Sequence, residues 1–135
     1  MYENILVSLS LDHGFGVRAI EVAKTLTSEG GSITAVHVFE PINSTVSLYV
    51  PAEHMQNVRK SAKEEIAKRI GEQGDVKTVL LTDHSSGRAI TKYAEEIGAD
   101  CIIVGSHKSE VQDYFLGSTT SRIVRHAHCA VHVLR

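Results

Sequence analysis

Apolar residues in this chain come as short runs that alternate with longer stripes at helical spacing. Ile5-Leu6-Val7, within residues 4–9, is a continuous run closed by polar residues, the pattern of a central parallel strand. Gly14 and Gly16 mark the next loop, and Val17, Ile20, Ala23, Lys24 and Leu26 recur near helical spacing. Gly30-Gly31 is expected to end that helix. Ile33, Ala35, Val36, Val38 and Phe39 make residues 32–39 a second strand. A Ser, Thr, Asn and Pro-rich loop runs from Glu40 to about Pro51. Residues 52–72 are polar, but Met55, Val58, Ala62, Ile66 and Ile70 fall on one helical face, with Gly71 and Gly74 closing it. Residues 76–82 read as a third strand. Ser86 is expected to cap a helix with Ile90, Ala94 and Ile97 inward and Gly98 at its end. Residues 101–104 are a fourth strand, 118–127 a short helix and 130–134 a fifth strand.

Strand and helix thus alternate from end to end, with no internal repeat or low-complexity segment. That order predicts a single α/β domain over residues 1–135, a doubly wound five-stranded parallel sheet with helices on both faces. The nucleotide-binding arrangement of such a sheet has strand order 3-2-1-4-5, and ligands sit above the carboxyl ends where the order reverses. Here that crevice lies between Ser8-Leu9-Ser10 on one side and Gly105-Ser106-His107 on the other.

Composition narrows the options. The chain has 135 residues, a mass of 14.7 kDa and a formal net charge of −2. No basic run suggests a nucleic-acid surface, and no apolar stretch is long enough to cross a bilayer. Met1-Tyr2-Glu3-Asn4-Ile5 lacks the basic region of a signal peptide, so a cytoplasmic location is expected. Cys101 and Cys129 are too few for a disulfide scaffold and read as buried thiols.

The richest chemistry lies in Gly105-Ser106-His107-Lys108 and Leu116-Gly117-Ser118-Thr119-Thr120-Ser121. A strand end and a helix start, each marked by glycine, bring backbone N–H groups up to an anion. Ser118 and Thr119 offer N–H and O–H donors at a helix N-terminus, where the dipole favours negative charge. Lys108 adds a cation near the phosphates. Two plainer roles compete: Gly105 only ending a strand, and Ser118 only capping a helix.

The chain resembles the universal stress protein A family over essentially its whole length. The resemblance rests on Tyr2-Glu3-Asn4-Ile5-Leu6-Val7, Ile33-Thr34-Ala35-Val36-His37-Val38, and Gly98-Ala99-Asp100-Cys101-Ile102-Ile103-Val104-Gly105-Ser106. It rests also on Leu116-Gly117-Ser118 and Ile123-Val124-Arg125-His126-Ala127. The family's ATP motif runs glycine, two residues, glycine, nine residues, glycine, then Ser or Thr. Gly105 and Gly117-Ser118 supply its ends. Lys108 stands at the second glycine, the spacing is one residue shorter, and Ser10 stands where the family usually carries Asp. The chain looks like the ATP-binding subgroup with a Ser-His-basic loop.

The resemblance implies a Rossmann-like fold akin to the adenine nucleotide alpha hydrolases. It implies a stress-response protein that binds ATP, with or without Mg²⁺, and acts through ligand-linked conformation or assembly. Val38 would offer backbone groups to the adenine edge, and Ser8, Ser10, Val104, Gly105, Ser106, His107, Lys108, Gly117, Ser118 and Thr119 would line the ligand. A homodimer through the C-terminal strand is implied as well. Two readings from other classes stand beside it, a dimeric interaction module with a degraded site and a slow ATPase.

Eight histidines raise a metal question. His126, His128 and His132 would sit on a helix end, a turn and a strand, a poor arrangement for shared coordination. A cation near a helix C-terminus is the simpler account of His126. His37 reads as a core histidine with a hydrogen-bond partner. For catalysis there is no Walker-type Gly-Lys-Ser/Thr and no recognisable Ser-His-Asp spacing. Asp83, His84 and Asp113 are the acidic and basic loop residues that could approach phosphates.

Overall fold

Ile5, Leu6 and Val7 are all fully buried, which a strand achieves only when both its faces are covered. The computed structural model describes residues 1–9, 15–40, 49, 51–70, 74–106 and 116–135. Its elements are β1 (Tyr2–Ser8), α1 (Phe15–Leu26), β2 (Thr27–Phe39), α2 (Ala52–Ile70), β3 (Val76–Thr82), α3 (Ser86–Glu96), β4 (Cys101–Gly105), α4 (Ser118–His126) and β5 (Ala130–Leu134). The strands form one parallel sheet in the order β3-β2-β1-β4-β5.

Alternation of side chains divides the interior into two layers. Ile5, Val7, Ile33, Ala35, Cys101 and Ile103 face Ala19, Ile20 and Ala23 of α1 and Ile66 of α2. Leu6, Val36, Val38, Ile102 and Val104 face Ala89, Ile90 and Ala94 of α3 and Ile123 of α4. Each fully buried aliphatic side chain contributes about 1.5–3 kcal/mol through the water it sheds. The α1 stripe is narrower than its spacing suggests, since Val17 is 44 % exposed.

The rim where the strands begin is held by side chains. Glu3 N–H donates to Asp100 Oδ2 at 2.7 Å and Asn4 N–H to Asp100 Oδ1 at 3.0 Å. Asn4 Nδ2 donates to the Ile97 carbonyl at 2.6 Å, and Ser32 Oγ donates to Asn4 Oδ1 at 3.0 Å. Gly98, at φ +66°, makes this approach possible. Its N–H bonds to the Glu95 carbonyl and that of Ala99 to Ala94, a Schellman ending that turns α3 into β4.

Two sequence-based expectations fail here. Gly30-Gly31 does not end α1, which stops at Leu26. Thr27 Oγ1 donates to the Ala23 carbonyl and Thr27 pairs with Tyr2, so the chain passes straight into β2. The register then shifts between Tyr2 and Asn4, and Gly30, at φ +80°, lies in the excess length on β2. The cap of α3 is Ser85 rather than Ser86: Ser85 Oγ accepts from Arg88 N–H, while Ser86 Oγ donates to Glu40 Oε1 at 2.9 Å. Boundaries elsewhere move by at most two residues, and residues 71–73 lie outside the described ones.

The helices α3 and α4 are fastened together. A Cβ on Gly87 would lie 2.9 Å from Arg122 Cβ, so the two backbones approach closely there. His128 Nε2 reaches Glu95 Oε1 at 2.6 Å. No helix among the described residues is long and apolar enough to cross a membrane.

Cys101 is fully buried as expected, but Cys129 is only half-buried. Burial, with Cys129 and Asp100 nearby, pushes the Cys101 thiol up to about 11. Its folded pKa lies above the ordinary value of 9.0, so its stabilising contribution is complete below pH 9 and disappears as pH rises through about 11. Native stability should therefore fall across that window, and Cys101→Ala should flatten the fall, as read by urea denaturation at several pH values. Asp100→Ala should destabilise by about 1–3 kcal/mol, because two backbone donors lose a charged acceptor. A midpoint unchanged in urea would contradict the latch.

Candidate functional site

The ladder between β1 and β4 runs Ile5↔Cys101, Leu6↔Ile102 and Val7↔Ile103, and then stops. The ladders on either side continue. Ser8 pairs with Val36 on β2, and Leu9 N–H donates to the Val36 carbonyl at 2.8 Å. Gly105 pairs with Leu134 on β5, and Ser106 N–H donates to the Leu134 carbonyl at 2.7 Å. Past Val7 and Ile103 the two central strands are thus each bonded outward. This is the point at which strand order reverses, where open α/β sheets place a crevice.

His37 helps fix one wall. Its Nδ1 lies 3.1 Å from the Leu9 carbonyl, a contact that needs the proton on Nδ1. It is half-buried and partnered, as its position in a strand suggested. The bond from Leu9 to the Val36 carbonyl shows that Val36 turns its backbone toward β1. By alternation Val38 does the same, beyond the last paired residue of β1. Its side chain is 9 % exposed and belongs to the core, so only its backbone faces this way.

The other wall is the end of β4 with the start of α4. Thr120 Oγ1 donates to the Gly105 carbonyl at 2.6 Å, tying the first turn of α4 to the strand end. Gly117 is the N-cap, with φ −60° and ψ 160° and no side-chain cap. The first turn has no acidic residue, while Arg125 and His126 occupy the last. Within α4 itself, therefore, no carboxylate offsets the positive end of the dipole, whereas basic residues stand at the negative end. Ser118 is exposed and Thr119 half-exposed at this end.

The structure thus brings together Ser8, Val38, Val104, Gly105, Ser106, Gly117, Ser118 and Thr119 at one rim. Ser10, His107 and Lys108 lie outside the described residues, as does Asp113. Thr120 was missed by sequence reasoning. Its signal was helical phase, since Thr120, Ile123 and Ala127 form one inward stripe, with Thr120 only 4 % exposed.

Asp83 is a local structural residue. Its Oδ1 accepts from Ser85 N–H and Arg88 Nη2, each at 3.0 Å. The Ser85 N–H, then the Arg88 guanidinium, hold its carboxyl below the ordinary range. It follows β3, so β2 and β1 separate it from β4, roughly 14 Å at the usual strand spacing. Among the described residues no group of three or more His, Cys, Asp or Glu is arranged to hold a metal ion.

The Universal stress protein A homolog 2 of Coxiella burnetii is 30 % identical over 141 residues, covering 99 % of this chain and 95 % of its own. The solved structure of hypothetical protein MJ0577 is 25 % identical and covers 99 % of this chain and 96 % of its own, with a TM-score of 0.77. The universal stress protein from Archaeoglobus fulgidus in complex with dAMP shares the fold at 18 % identity and a TM-score of 0.62, covering 99 % and 98 %. The model of the Universal stress protein family matches residues 1–135, from the Asp100-latched rim to β5, and the chain belongs to that family.

Proposed function

We propose that this universal stress protein binds an adenine nucleotide, ATP first among them, in the crevice between the ends of β1 and β4. The observation that carries this reading is the early stop of the β1–β4 ladder beside the start of α4, which has no side-chain cap and no acidic residue in its first turn and so favours an anion. An anion at that helix start would meet the N–H groups of Ser118, Thr119 and Thr120 and the positive end of the dipole. Gly105 lets backbone come close to the ribose and phosphates. Val38 offers its N–H and C=O to the base edge, and Ser8, Val104 and Ser106 complete the strand ends. Ser10, His107 and Lys108 are assigned to the same ligand by their positions in the family motif. Any Mg²⁺ would arrive on the phosphates. The Archaeoglobus fulgidus protein of the same fold, in complex with dAMP, supports an adenine nucleotide.

In this reading the protein works in the cytoplasm during stress, through conformation or assembly linked to the ligand. Of the loop residues that could approach phosphates, Asp83 is engaged with Ser85 and Arg88 instead. Assembly is a homodimer through β5, the outermost strand next to β4. Val131 and Val133 pack toward α3 and α4, Leu134 packs toward α1, and His132 is exposed. Such an edge accepts a further strand.

Equilibrium dialysis with ATP and Mg²⁺ should show saturable binding, and the absence of binding at millimolar ligand would sink the proposal. Gly117→Val is the sharper probe. The φ and ψ of Gly117 are open to any L residue, so the added side chain obstructs ligand approach without backbone strain. ATP affinity should drop about tenfold or more, with thermal midpoint little changed. Equal loss of both would make Gly117 purely structural. Sedimentation equilibrium should return twice the 14.7 kDa chain mass; a single-chain mass at micromolar concentration would remove the dimer.

A further inference from the structure

Four consecutive hydroxyl side chains open α4, and they divide into two kinds. Ser118 is exposed and Thr119 half-exposed at the ligand rim. Thr120 is 4 % exposed and its Oγ1 donates to the Gly105 carbonyl, while Ser121 Oγ donates to the Leu116 carbonyl at 3.2 Å. Helical phase explains the division, since Thr120 stands one turn before Ile123 on the buried face. The hydroxyl that lies deepest thus binds the protein's own backbone.

We propose that Thr120 is the positioning residue of the nucleotide site, its hydroxyl setting the separation between the end of β4 and the first-turn N–H groups of α4. This rests on the adenine nucleotide reading above. Gly105 and Thr120 are 15 residues apart in the chain, so the hydrogen bond joins the ends of the long connection between β4 and α4. Both walls of the phosphate-binding half meet at this bond. Hydrogen bonds weaken steeply once donor and acceptor are misaligned, so a helix start that drifts from Gly105 loses phosphate contacts. The adenine base, on the strand ends of β1 and β2, makes no use of the α4 N–H groups.

The division of labour is testable with ATP and adenosine against three forms of the full chain: wild type, Thr120→Val and Thr120→Ser. Thr120→Val keeps the volume and removes the donor. It should weaken ATP about tenfold, the scale of one lost hydrogen bond, and leave adenosine within about twofold. Thr120→Ser keeps the donor and should restore ATP affinity. A purely structural threonine would lower ATP and adenosine alike, and that result overturns the proposal. So does a Thr120→Val protein that holds ATP as tightly as wild type, or a Thr120→Ser protein that fails to rescue. Should Thr120→Val not fold, Thr120→Cys, whose thiol is a weak donor, makes the same comparison; ATP affinity equal to that of Thr120→Ser then overturns it. Wild-type protein that binds neither ligand removes the nucleotide reading and this inference together, whereas wild type that binds ATP with no effect of Thr120→Val removes this inference alone.

Discussion

The parting of β1 and β4 governs the rest of the molecule. Their ladder ends at Val7 and Ile103, and from there each strand is bonded outward, Leu9 to β2 and Ser106 to β5. Backbone polar groups demand partners, and the outward bonds supply them to the N–H groups of Leu9 and Ser106 where the two central strands separate. Strand order reverses at that point, and right-handed crossovers then put α1 and α2 on one face and α3 and α4 on the other. The start of α4 reaches the opening because Thr120 is bonded to Gly105 there.

Much of this was legible in the sequence, for a physical reason. A strand buried on both faces must be a continuous apolar run, and Ile5-Leu6-Val7 and Cys101-Ile102-Ile103-Val104 can hardly be anything else. Sheet order and helix layers follow from the alternation of such runs with helical stripes. The failures were local. Gly30-Gly31 carries the mark of a helix stop, yet tertiary pairing of Thr27 with Tyr2 ended the helix first. Ser85 and Ser86 are equivalent as letters, and only the fold decides which hydroxyl faces Arg88 N–H and which faces Glu40. Thr120 was hidden for the same reason. A run of hydroxyl residues after a glycine looks uniform until helical phase sorts buried from exposed.

Outside the core, residues that make the family recognisable fall at two opposite rims. Gly105, Gly117 and Ser118 stand where the strands end. Glu3, Asn4, Gly98 and Asp100 stand where they begin, and there they hold backbone to backbone. A motif match at the second rim therefore speaks for the fold, and only the first speaks for a ligand. The two can change independently, because the sheet's full length lies between them.

The fastening of α4 to α3 has a mechanical consequence. Arg122 lies against Gly87, and His128 reaches Glu95, so the two helices are pinned near both ends of α3. A displacement of α4 at Gly117 would therefore press on α3, which lies over the same face of the sheet. The five strands stand between that pair and α1 with α2, like a stiff partition. The helices thus form two separately packed pairs, although the chain winds evenly over both faces.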